Sequence, residues 1–244
     1  MSIVRRLLAV GLVAVAAPAL AGPPYLTDDP VPTDSRHWEI YAFTAGEGGS
    51  ADFDDDIGLD LNYGAVKGIQ LTATLPLSFS HERGEGWRGG TGDVELAVKY
   101  RFLDDEKHGF SAAIFPRVFL PTASHSPGDR LRLLLPIWLG KDFAGGTSLF
   151  GGGGYTVNPG AGQRDFWISG LAVTRQVGKG LQLGSEVYHR GSEAKAGHAF
   201  TGLNLGLTWQ VTPHWSLLAS GGPGVQNAHD EGQYAFYLAL GATY

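Results

Sequence analysis

From His37 onwards the chain alternates between apolar and polar positions. Ile57, Leu59, Leu61 and Tyr63 are separated by Gly58, Asp60 and Asn62. Ile69, Leu71, Ala73, Leu75, Leu77 and Phe79 are interleaved with Gln70, Thr72, Thr74 and Ser78, and Val94, Leu96, Val98, Tyr100 and Phe102 with Asp93, Glu95, Lys99 and Arg101. A period of two places one apolar and one polar face on a strand. The pattern recurs over residues 110–120, 181–190, 200–211 and 234–244; over 131–139, 147–157 and 166–177 the inward parity is ambiguous. With 37–44 and 215–224 the chain predicts about twelve strands (ten or fourteen being the neighbouring even counts) of about ten residues, the length a tilted strand needs to cross a bilayer.

The connections separate a membrane barrel from a secreted sandwich, which also alternates. The segments 45–56, 81–92, 121–130, 158–164, 191–197 and 225–232 are mostly long, and 64–68, 103–108, 141–146, 178–180 and 212–214 mostly short. Long loops at one rim and short turns at the other mark an outer-membrane barrel. Trp38, Tyr63, Tyr100, Phe102, Tyr155, Trp209, Trp215 and Tyr244 fall towards strand ends, where interfacial girdles form. The last segment ends on Tyr244 and resembles the C-terminal strand signal read by the barrel assembly machinery. The expected fold is therefore all-β: a single closed antiparallel transmembrane β-barrel, closed because lipid offers no partner to an unpaired backbone group. Gly151 to Gly154 leave lumen space or permit bends; no helix pattern follows them, as a nucleotide-binding loop would require.

Upstream, Arg5 and Arg6 precede an apolar run over 7–17 and an Ala19-Leu20-Ala21 cleavage pattern, so residues 1–21 are expected to be a removed signal peptide. The run is short for a retained anchor. Residues 22–35 follow as a proline-broken extended segment, either a periplasmic leader or a lumen plug, and 36–244 as the barrel. The absence of cysteine excludes disulfides and thiolate sites, and the net charge of -6 argues against nucleic acid.

Several stretches carry a family likeness: Thr27-Asp-Asp-Pro30, His37-Trp-Glu-Ile-Tyr41, Leu75-Pro-Leu-Ser-Phe79, the strand from Gly92 to Phe102, and Leu183-Gly-Ser-Glu-Val-Tyr188. Together they resemble a family of outer-membrane barrels assigned to transport in the meta-pathway of phenol degradation. The resemblance implies a channel passing small, aromatic or hydrophobic compounds, and brings no catalytic or binding residues with it.

If the apolar parity faces lipid, Glu39, Asp60, Asn62, Gln70, Thr72, Asp93, Glu95, Lys99, Arg101, Arg117, Gln182, Glu186, Arg190, Asn204 and Thr208 face the lumen. The candidate pore lining is Glu39, Asp60, Glu95, Lys99, Arg101, Arg117, Glu186 and Arg190, charges of both signs that set a transverse field. The bland alternative is a structural network filling the interior. Tyr41, Phe43, Phe115 and Phe119 would add a greasy path or plain packing. As a plug, the N-terminal segment would bring Asp28 and Asp29 to Lys99 or Arg101.

Two other classes compete with a passive channel. A barrel lipid hydrolase would use Ser185 and His189, which share a parity on one strand but lie four residues apart without a third member. A surface-interaction barrel would work through its loops. Asp52, Asp54, Asp55 and Asp56 miss the EF-hand pattern, since Ile57 and Tyr63 stand where Gly and Glu are needed; they read as an acidic outer loop. His81, His125 and His229 show no metal-ligand spacing, so no metal and no cofactor is assigned. The expected partners are outer-membrane lipid, lipopolysaccharide, the assembly machinery and a small solute, with the protein a monomer.

Overall fold

A computed structural model describes residues 24–49, 52–124, 130–228 and 233–244. The expected signal peptide, His125 and His229 lie outside these residues. Among the described residues no helix is long and apolar enough to cross a membrane, and the crossing is made by strands.

Fourteen strand segments form one antiparallel sheet: β1 (Trp38–Gly48), β2 (Asp52–Val66), β3 (Ile69–Glu82), β4 (Arg88–Thr91), β5 (Val94–Asp105), β6 (Phe110–Ile114) and β7 (Arg117–Leu120), then β8 (Arg132–Phe143), β9 (Thr147–Val157), β10 (Phe166–Gly178), β11 (Leu181–Arg190), β12 (Phe200–Gln210), β13 (Trp215–Gln226) and β14 (Tyr234–Thr243). Apart from β4 with β5 and β6 with β7, each pairs with its neighbour in sequence, and β14 returns to β1 from Glu39↔Thr243 to Gly48↔Tyr234. The ring is sealed at its base by Trp38 N–H donating to the Tyr244 carbonyl at 2.8 Å and by the reciprocal bond at 3.0 Å.

Two of the staves are interrupted, so fourteen segments make a closed barrel of twelve strands. β4 and β5 lie end to end along the same edge of β3, with the break at Gly92 and Asp93. β6 and β7 lie end to end between β5 and β8. Residues 110–120 were expected as one strand; the break falls at Pro116, which has no N–H for the ladder. The Pro116 carbonyl still accepts from Val98 N–H at 3.2 Å, so the wall stays closed there.

The burial pattern is inverted relative to a soluble protein. Glu39, Asn62, Gln70, Thr72, Lys99, Glu186, Asn204 and Thr208 are buried, whereas Leu71, Leu96, Ile137, Leu171, Leu203, Leu205 and Leu240 are exposed, Leu205 at 73 %. Such an outer surface is stable only against hydrocarbon. Rings cluster at both rims: Trp38 with Tyr63 at 4.7 Å below, Tyr155 with Trp167 at 5.1 Å above. The expected acidic loop is corrected: Asp52, Asp54, Asp55 and Asp56 belong to β2, which pairs with β3 as far as Asp52↔Glu82. The hairpin outruns the apolar band, and above the lipid polar side chains are tolerated on either face.

Candidate functional site

The lumen is occupied. From the left-handed residue Arg36 (φ 65), beside the short turn between β2 and β3, the chain runs back into the barrel. Ser35 bridges Gly64, and Arg36 N–H donates to the Gly64 carbonyl at 2.6 Å. Thr33 donates through N–H to Gln70 Oε1 at 2.7 Å. Gln70 in turn donates to Asn62 Oδ1 at 2.7 Å and Thr72 Oγ1 at 2.9 Å, so β2 and β3 present a preformed amide to the segment.

Higher up, Asp28 forms the strongest attachment. Lys99 Nζ donates to its Oδ1 at 3.0 Å and Arg117 Nη2 to its Oδ2 at 2.7 Å. Lys99 is only 1 % exposed, also donates to the Val31 carbonyl at 3.3 Å, and has Asp29 Oδ1 at 3.9 Å. Two opposite charges and a carbonyl offset the desolvation of a buried ammonium, and each charge-assisted bond contributes about 1.5–3 kcal/mol. The Asp29 carboxyl is pushed up to about 6, chiefly by burial, with Lys99 opposing the rise and Asp28 adding to it. On the far wall Glu186 accepts from Leu26 N–H at 3.1 Å, Thr27 N–H at 2.9 Å and Asn204 Nδ2 at 2.8 Å. Ser220 Oγ donates to the Pro24 carbonyl.

The wall is carved to admit this segment. A Cβ on Gly170 would overlap the Thr27 side chain, and one on Gly206 would lie 2.6 Å from the Tyr25 ring. Neither role has a local sequence signal, because the partner is over a hundred residues away.

The other candidates stand as follows. Glu95 lies 3.5 Å from Arg117, and Asp60 accepts from Asn62 and Thr74 at 3.1 Å each. Glu39 is buried and accepts from the Tyr41 hydroxyl at 3.0 Å. Arg190 reaches Glu47 at 3.0 Å and Glu193 at 3.1 Å. Arg101 pairs with Asp104 at 2.9 Å on its own strand and meets neither Asp28 nor Asp29; the second cation on Asp28 is Arg117. The geometry sets Ser185 and His189 about 13 Å apart on β11, and the His189 ring instead shares a hydrogen bond with Thr201 Oγ1 at 2.9 Å.

Space remains on both sides of the segment. An outer vestibule of about 570 Å³ is lined by Pro24, Tyr25, Glu47, Asp54, Asp56 and Arg190 among others. A mid-lumen chamber of about 380 Å³ is walled by the rings of Tyr41, Phe43, Phe115, Phe119, Trp138 and Phe166, with Asp60, Glu95, Arg117 and Arg132. Such a chamber combines aromatic walls with acceptors on one side and guanidinium donors on the other.

Comparison with solved structures returns membrane barrels. An outer membrane channel from Pseudomonas putida F1 superposes with a TM-score of 0.71 at 13 % identity, covering 92 % of this chain and 100 % of that one. The KdgM porin, solved in complex with disordered oligogalacturonate, gives 0.56 at 11 % identity over 84 % and 98 %. The translocator domain of the autotransporter NalP from Neisseria meningitidis gives 0.54 at 14 % identity over 86 % and 89 %. At these identities the likeness is one of fold. The search of curated proteins returned no match. Barrel closure, the lipid-facing apolar band and these folds place the chain in the bacterial outer membrane. A family model described as "Putative MetA-pathway of phenol degradation" matches residues 41–240, most of the barrel, and the chain belongs to that family.

Proposed function

We propose that the protein is a passive outer-membrane channel for small molecules, closed at rest by the N-terminal segment 24–35. The observation that carries the reading is Asp28 held between Lys99 and Arg117 in the middle of a twelve-stranded lumen. A barrel interior that needed only filling would be satisfied by wall residues alone. Here the wall keeps buried amides, cations and Glu186 whose partners lie on a separate strip of chain. Once the segment leaves, Glu39, Asp60, Glu95, Lys99, Arg117, Glu186 and Arg190 line a pathway with charges of both signs, and Arg101 stands with Asp104 near the periplasmic exit.

The proposed solutes are small aromatic or otherwise hydrophobic compounds. Support comes from the rings around the mid-lumen chamber and from the family's assignment to phenol degradation. The remaining partners are outer-membrane lipid with lipopolysaccharide at the outer rim and the assembly machinery reading the last strand, and the barrel works as a monomer.

Planar-bilayer recording of the refolded protein tests this. The intact chain should show rare, brief openings, and deletion of residues 22–33 should give long-lived conductance. A silent deletion variant that migrates as a folded barrel would contradict the channel reading.

A further inference from the structure

Glu47 ends the inward face of β1 and Arg190 that of β11, and these strands are four steps apart around a ring of twelve. Arg190 Nη2 nevertheless donates to both Glu47 carboxylate oxygens, at 3.0 and 3.2 Å. The pair therefore reaches over the lumen as a chord rather than along the wall. Glu193 holds the other edge of the guanidinium at 3.1 Å. Arg190 lines both the outer vestibule and the mid-lumen chamber, so the chord stands at the boundary between them.

Among the described residues no atom of the segment 24–35 takes part in the pair, so the pair does not depend on the segment for its hydrogen bonds. Resting on the channel reading above, we propose that Glu47 and Arg190 form a second constriction, the one that selects solutes by charge when the pore is open. The side chains are 36 % and 25 % exposed. A pair so exposed is weak, because water screens both charges. It opens and re-forms readily, which suits a selector and not a seal. Selection arises because each partner leaves its own charge in the narrow path when the other is removed. Asp54 and Asp56 on β2 and Arg88 on β4 also line the vestibule, so without Glu47 the Arg190 guanidinium, still held by Glu193, would face a mixed rim, and without Arg190 the Glu47 carboxylate would leave a net acidic one.

The test uses the protein lacking residues 22–33, with a single cysteine introduced below the pair as Thr72→Cys. The natural chain has no cysteine, so labelling is confined to that site. Labelling rates are measured with a cationic and an anionic methanethiosulfonate reagent added from outside, alongside single-channel conductance. Heat-modifiable migration on gels serves as the folding control. Glu47→Gln should lower the cation-to-anion ratio of labelling by about threefold and Arg190→Gln should raise it by about as much, the sign of the remaining charge deciding each case. The double variant Glu47→Gln/Arg190→Gln should restore the ratio and raise both rates. At 1 M salt, where screening falls to about 3 Å, the differences should shrink. Equal ratios in all variants, or both single variants shifting the same way, would overturn the inference. A barrel that labels as expected but passes no current would instead overturn the channel reading and leave the constriction standing.

Discussion

At the scale of the residue, Lys99 and Asp28 decide whether the segment sits in the lumen. Asp28→Asn leaves a buried ammonium and the Arg117 guanidinium without their shared carboxylate. Breaking such a buried pair by removing one partner costs about 3–5 kcal/mol. The variant should fold, and the occupancy of open states in bilayers should rise about tenfold or more. Gly170→Ala should unseat the segment sterically, and Thr27→Gly in the same chain should restore closure; the pair of variants separates a clash from a general loss of stability. Asp29 supplies a pH dependence. Its seated value of about 6 lies above the ordinary carboxyl value of about 3.9. The seated state thus holds its proton more tightly. Its contribution to seating is full below about pH 4 and is lost as pH rises through 6. Openings of the wild type should become more frequent as pH rises from about 4 to about 6, and Asp29→Asn should flatten that rise. Asp28, Asp29 and Lys99 were legible in the sequence because charges on an inward parity need partners. Gln70 and Glu47 were not singled out, since a neutral amide and one more acidic rim residue carry no local mark of their cross-lumen partners.

Among the elements, β8 shows why some parities could not be read. Leu133, Leu134, Leu135, Pro136, Ile137, Trp138 and Leu139 are apolar on both faces. Leu135, Ile137 and Leu139 are exposed to lipid, whereas Leu134, Pro136 and Trp138 are buried inside. An inward apolar face is admissible because Trp138 and Phe115 pack together there, and Gly152 and Gly154 of β9 leave room for Trp138 and Pro136 respectively. The acidic end of β2 was misread as a loop for a related reason: alternation was sought in apolar residues, and above the membrane the outward face need not be apolar. Pro116, by contrast, carries a direct mark, since it forfeits one rung of the ladder opposite Val98. Pro116→Val should restore that rung, join β6 to β7 and stabilise the barrel by about 0.5–1.5 kcal/mol. Unfolding in urea from detergent micelles measures this as a higher midpoint with an unchanged slope.

For the whole molecule, closure and occupancy are separate achievements of one sequence. Strand count, rim asymmetry and the aromatic ends were visible along the chain because the bilayer imposes them on every strand alike. What occupies the lumen was not decidable there, since a solvated leader and a seated segment share the same prolines and aspartates. The central claim is that residues 24–35 must leave for solute to pass, and a reversible lock tests it most directly. The Cβ of Thr27 lies 3.0 Å from the position a Cβ would take on Gly170, close to the spacing of about 3.5–4.5 Å that a disulfide spans. In the Thr27→Cys/Gly170→Cys protein, free of any other cysteine, single-channel recording should show silence when oxidised and sustained conductance after reduction with dithiothreitol. Equal conductance in the oxidised and reduced states would contradict the account.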